Sequence, residues 1–210
     1  PCKLASKLHQ WSRNDDRRMK RLAEYMFATK DWKLRGFICD NMDDLELWMF
    51  VDADLASDPD TTKSTSGAML VLVGPSSWMP ICWVCQWQTS TSRSTTEAES
   101  VSLVTTLIAE GFLLLGLLEL IFGRQMTFRI KEDNTATIKV LRKGYSPKLR
   151  HVQRTHKIDI GIVSEAIERG DALLEHCETD KQAGDIITKD LLPAKWPNAM
   201  RLLGIGPDSQ

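Results

Sequence analysis

The 210 residues of this chain predict an α/β fold: a mixed five-stranded sheet, three antiparallel strands and then two more, flanked by helices. Three observations carry this reading. Strand-like segments follow one another from Leu45 to Gln88 with only turn residues between them. Beyond them helical and strand-like segments alternate. Between the two regions lies one long apolar segment, Leu103–Phe122, interrupted by Glu110 and Glu119 and suited to packing across a sheet.

The elements follow in order. Residues 1 to about 35 read as helix: Asp15 and Asp16 open a run in which Met19, Leu22, Ala23 and Met26 recur at helical spacing, with the basic residues Arg17, Arg18, Lys20 and Arg21 on the other side. From Leu45 the period changes. The segment LELWMFVDAD alternates and runs into acids. The turn-rich SDPDTTKSTSG then leads to strands over Ala68–Val73 and Ser77–Gln88. A long helix from about Thr95 to Phe122 is expected, capped by Ser94 or Thr95 with Glu97 in its first turn. Next come a strand over Met126–Lys131, a helix over Asn134–Arg142, the GYSP turn and a helix over Val152–Arg169. A short strand over Ala172–Glu178 and a last core helix over Asp180–Lys189 complete the domain. Residues 192–210 read as a tail with a short helix around Trp196–Leu203, ended by Gly204, Gly206 and Pro207.

Composition narrows the function. A hydrophobic fraction of 42% and a charged fraction of 26% are those of a globular domain, and a net charge of -1 supplies no overall basic field. Nucleic-acid contact must therefore come from local clusters. The five cysteines, Cys2, Cys39, Cys82, Cys85 and Cys177, are odd in number and follow no signal peptide, which suits a reducing intracellular compartment. Cys82 and Cys85 form C-x-x-C, but no second Cys or His pair at zinc spacing follows, and residues three apart on a strand face opposite ways. The Leu103–Phe122 stretch has no basic flank beyond Arg124, so it is expected in a core, covered by the sheet on one side and by helices elsewhere, and not in a membrane.

Four acids, Asp52, Glu99, Asp133 and Asp185, fall where a strand or helix begins or ends. Carboxylates are hard oxygen ligands, and several converging from different elements can hold two Mg²⁺ ions about 3.5 to 4 Å apart. Asp52 and Asp54 share one strand face. The same placements also suit helix caps and solvated strand ends. Glu97 and Glu99 differ by about 200° around a helix, and both sides of that helix are partly apolar, so periodicity does not choose between them.

The motifs VDADLASDPDTTKSTSG, STTEAES, KEDNTATI, RTHKIDI and KQAGDIITKDL, in that order from Leu45 to Leu191, resemble those of the ribonuclease H domain of copia-type retrotransposon Pol polyproteins. WSRNDDRRMKRLAEYMFATKD is similar to the end of the reverse transcriptase in the same polyproteins. The resemblance implies residues 1–44 as a mainly helical reverse transcriptase end, 45–191 as the ribonuclease H-like domain and 192–210 as a tail. It chooses Glu99 over Glu97 and makes Asp52, Glu99, Asp133 and Asp185 both catalytic and metal-binding. Two Mg²⁺ ions, or Mn²⁺, would sit at the scissile phosphate of the RNA strand of an RNA/DNA hybrid.

Lys63, Ser64 and Thr65 in a polar loop, Asn134 at a helix start, and Arg154, His156 and Lys157 in the dense basic cluster are the candidate nucleic-acid contacts. His176 is read as a strand residue. The sequence departs from the family at Leu55, where an aromatic residue is usual, at Ser57, where Gly is usual, and at Trp87, where a basic residue is common. Implied partners are the hybrid and the reverse transcriptase portion of the polyprotein, in a cytoplasmic virus-like particle or the nucleus. The polymerase's catalytic segment is not in the chain, so DNA synthesis is not expected of it. The alternative is a catalytically inactive, retroelement-derived nucleic-acid-binding or structural domain.

Overall fold

A computed structural model describes Leu4 and residues 8–207; Cys2 and the last residues of the tail lie outside the described residues. The sheet is built from β1 (Glu46–Asp54), β2 (Thr65–Gly74), β3 (Ser77–Trp87), β4 (Phe128–Glu132) and β5 (Leu173–His176), in the order β3-β2-β1-β4-β5. β1, β2 and β3 form the antiparallel meander, while β4 lies parallel to β1 and β5 parallel to β4. The predicted mixed five-stranded sheet is therefore present.

β1 is central and buried on both faces. Leu47, Met49 and Val51 point into the larger core with Ala68, Leu70, Leu103, Leu107, Phe128 and Ile130. Phe50 points the other way, into a smaller cluster with Met69, Val71, Val73 and Leu202. Period-two alternation with both sides apolar is what a strand covered twice requires.

The larger core is closed by α2 (Thr95–Thr106), which continues through one π-helical turn, Leu107–Gly111, into α3 (Phe112–Phe122). Ser94 caps α2 by accepting from the Glu97 N–H at 3.2 Å. The expectation that this helix is covered all round is corrected. Its first half is buried, but on α3 Leu113 is 70% and Leu120 80% exposed, left uncovered by the other helices among the described residues. By length and composition alone the whole Thr95–Phe122 segment would suffice to cross a membrane.

α4 (Thr135–Lys143) starts at Asn134, whose side-chain carbonyl accepts from the N–H groups of Ala136 and Thr137 at 2.9 and 3.4 Å. The single helix expected over Val152–Arg169 is divided into α5 (Val152–Thr155) and α6 (Gly161–Arg169). Local side-chain bonding breaks it: His156 turns inward to Glu97, Lys157 takes φ +57°, and Asp159 accepts from the Gly161 N–H at 2.9 Å. The helix expected over Asp180–Lys189 is likewise reduced, to a 3₁₀ turn at Thr179–Lys181 and α7 (Asp185–Thr188). Between them Gln182 donates to the Val51 carbonyl at 3.0 Å and accepts from the Gly184 N–H at 3.1 Å, which ties the chain to β1.

Near the N-terminus α1 (Arg13–Ala28) begins with a capping box, in which Asp15 accepts from the backbone and hydroxyl of Ser12 at 3.0 and 2.5 Å. Residues 192–207 do more than trail. In α8 (Trp196–Leu203), Ala199 and Leu202 are buried, and the Leu202 carbonyl accepts from the Trp78 indole at 3.1 Å. Lys33–Leu34 pairs with Ile205–Gly206, and Tyr25 meets Trp196 edge to face, so the α1 and α8 segments meet beside the second face of the sheet. Cys82 and Cys85 do face opposite ways, Cys82 toward Glu110 at 3.8 Å and Cys85 toward the Ile187 carbonyl at 3.2 Å.

Candidate active site

Parallel pairing of β1 and β4 creates the site. Phe50 is in register with Lys131, so Asp52 near the end of β1 and Asp133 just past the end of β4 are each two residues beyond that pair and lie at the same edge of the sheet. α2 crosses that end of the sheet and is fastened there by Ser102, whose hydroxyl donates to the Asp52 carbonyl at 2.9 Å. One carboxylate oxygen each from Asp52, Glu99 and Asp133 then lies within 4.8 Å of the others. Among the described residues no other group of three or more His, Cys, Asp or Glu meets in this way.

Glu99 is held rather than free. Its Oε2 accepts from the Asn134 amide at 2.6 Å and the Thr137 hydroxyl at 2.7 Å. Burial pushes its pKa up to about 7; the two hydrogen bonds pull the other way, and the neighbouring Asp133 and Asp52 add to the rise. Asp52 is wholly buried, with one oxygen accepting from the Thr188 hydroxyl and the other from the Lys189 ammonium at 2.8 Å. Asp185 is not in the group of three. It is linked to it through the same ammonium, 2.9 Å from its Oδ1. Burial raises the Asp185 pKa against the pull of Lys189.

A fifth acid is present that the sequence reading passed over. Glu132 is wholly buried and beside Glu99; its Oε1 accepts from the Asn134 N–H at 3.1 Å, and its Oε2 has no hydrogen-bond partner. Burial first, and then Glu99, push its pKa up to about 9. The signal was available in the alternation of FRIKE, where Glu132 has the parity of the core residues Phe128 and Ile130.

Glu97 points elsewhere. Its Oε1 lies 3.1 Å from His151 Nε2 and 3.3 Å from His156 Nε2, and its Oε2 accepts from the Arg93 N–H at 3.1 Å. Of the candidate nucleic-acid contacts, Arg154 and Lys157 are exposed and Lys63 is partly exposed. Ser64 is buried and accepts from the Ala56 N–H at 3.2 Å. Thr65 is buried against the Ser57 hydroxyl at 2.6 Å, and His156 is buried against Glu97. Asn134 serves α4 and Glu99 at once.

The donor set fits a hard divalent cation: three carboxylates from three elements, all oxygen, with one further acid whose buried oxygen lacks a partner. The chain is 27% identical over 206 residues to the retrovirus-related Pol polyprotein from transposon RE2 of Arabidopsis thaliana, and 26% identical over 204 residues to that from transposon RE1. It resembles a stretch of retrotransposon Pol polyprotein. The match covers 97% of the chain and 13% of each relative. No family model matches. Among solved structures, a ribonuclease H1 isolated from compost has a TM-score of 0.47 at 13% identity, over 68% of this chain and 92% of that one. The N-terminal ribonuclease H domain of a Mycobacterium tuberculosis protein, solved as a fusion with maltose binding protein, has a TM-score of 0.44 at 11% identity, over 74% and 99%. The strand order β3-β2-β1-β4-β5, with α2 packed across β1 and β2, is the mixed five-stranded sheet flanked by helices that the sequence predicts.

Proposed function

We propose that this chain is a metal-dependent endonuclease that hydrolyses the RNA strand of RNA/DNA hybrids within a retrotransposon Pol polyprotein. The observation that carries the reading is the convergence of Asp52, Glu99 and Asp133. Similarity to Pol polyproteins over nearly the whole chain supports the setting. So does cost, since Asp52, Glu99 and Asp133 crowd together with, among the described residues, only the Lys189 ammonium to offset them, a repulsion that a bound cation would relieve.

Asp52, Glu99 and Asp133 would hold Mg²⁺ or Mn²⁺, with Asp185 beside a second position. The bound cation supplies Lewis-acid stabilisation of charge on the phosphate. The remaining work belongs to the chain. Asn134 and Thr137 fix the Glu99 carboxylate before any ligand arrives, and Ser102 fixes the Asp52 backbone. Lys63, Arg154 and Lys157 supply cations for the hybrid's phosphates, contacts that position a duplex without reading its sequence.

The test is cleavage of a hybrid carrying labelled RNA, with Mg²⁺ or with EDTA, by the chain and by an Asp52→Asn variant prepared in parallel. Cutting by the chain with Mg²⁺, reduced about a hundredfold or more in the variant, is expected for loss of a shared metal ligand. Equal cutting by both, or none by either, overturns the reading.

A further inference from the structure

The Lys189 ammonium lies between Asp52 Oδ1 at 2.8 Å and Asp185 Oδ1 at 2.9 Å. Its contact with Asp185 alone would be an ordinary pair four residues apart, worth little. Reaching Asp52 as well, a wholly buried carboxylate from another element, places a positive charge inside the acidic site. We propose that Lys189 is a built-in counter-cation: a first divalent ion enters at Asp52, Glu99 and Asp133, and a second enters between Asp52 and Asp185 only by displacing the lysine. This rests on the metal-site reading above.

Packing makes the lysine the movable part. A Cβ on Gly67 would stand 2.3 Å from Thr188 Cγ2, and one on Gly184 would stand 3.2 Å from Asp52 Cβ, so α7 is seated directly on β1 and β2. The Thr188 hydroxyl, bonded to Asp52, fastens it further. Lys189 follows the last turn of α7 in an extended conformation, φ -112° and ψ 149°, with 36% of its side chain exposed. Its four-carbon stem can swing to solvent without moving the backbone. Asp52 belongs to both halves of the site, so the ammonium also draws charge from the first ion's ligand.

The experiment is Mn²⁺ binding followed by electron paramagnetic resonance of the free ion, on the whole chain without nucleic acid. The chain is expected to bind one Mn²⁺, with a second weaker by about tenfold or more. Lys189→Met should tighten the second ion by about tenfold, while Lys189→Arg, which keeps the charge, should leave two unequal affinities. Should a thermal melt show that Met is not tolerated, Lys189→Gln removes the same charge and should give the same tightening. Mn²⁺ binding that is identical in the chain and in the folded neutral variants overturns the role of Lys189 and leaves the metal-site reading standing. No Mn²⁺ bound by the chain, or binding unchanged by Asp133→Asn, overturns the metal-site reading itself and the role of Lys189 with it.

Discussion

Glu97 and Glu99, two residues apart on α2, send their carboxylates into separate networks. Glu99 meets Asp52 and Asp133 and is held by Asn134 and Thr137, while Glu97 takes His151, His156 and the Arg93 backbone. One turn of helix thus supplies a candidate metal ligand on one side and, on the other, an anchor for the segment that carries Arg154 and Lys157. Sequence periodicity left these two acids equivalent.

Their variants should part company. Glu99→Gln is expected to fold at least as stably as the parent and to lose cutting about a hundredfold or more. Glu97→Ala is expected to lose roughly 2–4 kcal/mol of stability, because His151 and the Arg93 N–H lose their hydrogen-bond partner and the buried His156 loses the carboxylate beside it. Urea unfolding and hybrid cleavage on the two variants check both statements.

Glu132 and Glu99 set a pH dependence. Their folded pKa values, about 9 and about 7, stand above the ordinary 4.5, so between these limits the folded chain binds more protons than the unfolded one. Stability in EDTA is then fully present below about pH 4.5 and falls as pH rises through 7 toward 9. Glu132→Gln should flatten that fall. Thermal melts should show it equal to the parent near pH 5 and more stable at pH 8, by on the order of 1 kcal/mol or more. Added Mn²⁺ should stabilise the parent more at pH 8 than near pH 5, since the cation replaces protons there.

Gly67 is where β2 allows α7 to approach. Gly67→Ala puts a methyl group against Thr188 and Ile187, which costs about 1–3 kcal/mol of overpacking and shifts Asp185 and Lys189. Reduced unfolding free energy with weakened Mn²⁺ binding is expected. A variant with unchanged Mn²⁺ affinity would show that α7 does not set the site.

Leu202 tests the second face of the sheet. Leu202→Ala should cost roughly 2 kcal/mol, since Leu202 packs in the cluster with Phe50 and Met69, yet leave cutting unchanged well below the melting temperature. Intrinsic tryptophan fluorescence during urea unfolding reports the loss.

Most of the sheet was legible because its strands announce themselves: LELWMFVDAD alternates, the meander turns are polar, and Asn134 is a ready helix cap. The resemblance chose Glu99, which patterning had not separated from Glu97, and Glu99 is the one that lies beside Asp52 and Asp133. Two helices were overextended where side chains compete with helical bonding, at His156 to Gly161 and at Gln182 to Gly184, and such bonding depends on partners distant in sequence. The role of Leu202 in covering Phe50 was hidden for the same reason. Glu132 was missed although its parity pointed inward, because a buried acid is costly and a strand end offers an apparent exit to solvent. Lys189, in plain view within the KQAGDIITKDL motif, acquires meaning only once Asp52 and Asp185 are side by side.

The most direct measurement of the central claim is the anomalous scattering of Mn²⁺ in crystals of the chain. A manganese peak within ligand distance of Asp52, Glu99 and Asp133 together is the predicted result. Crystals whose manganese sits away from these three carboxylates, or which hold none at Mn²⁺ concentrations that support cutting, would contradict it.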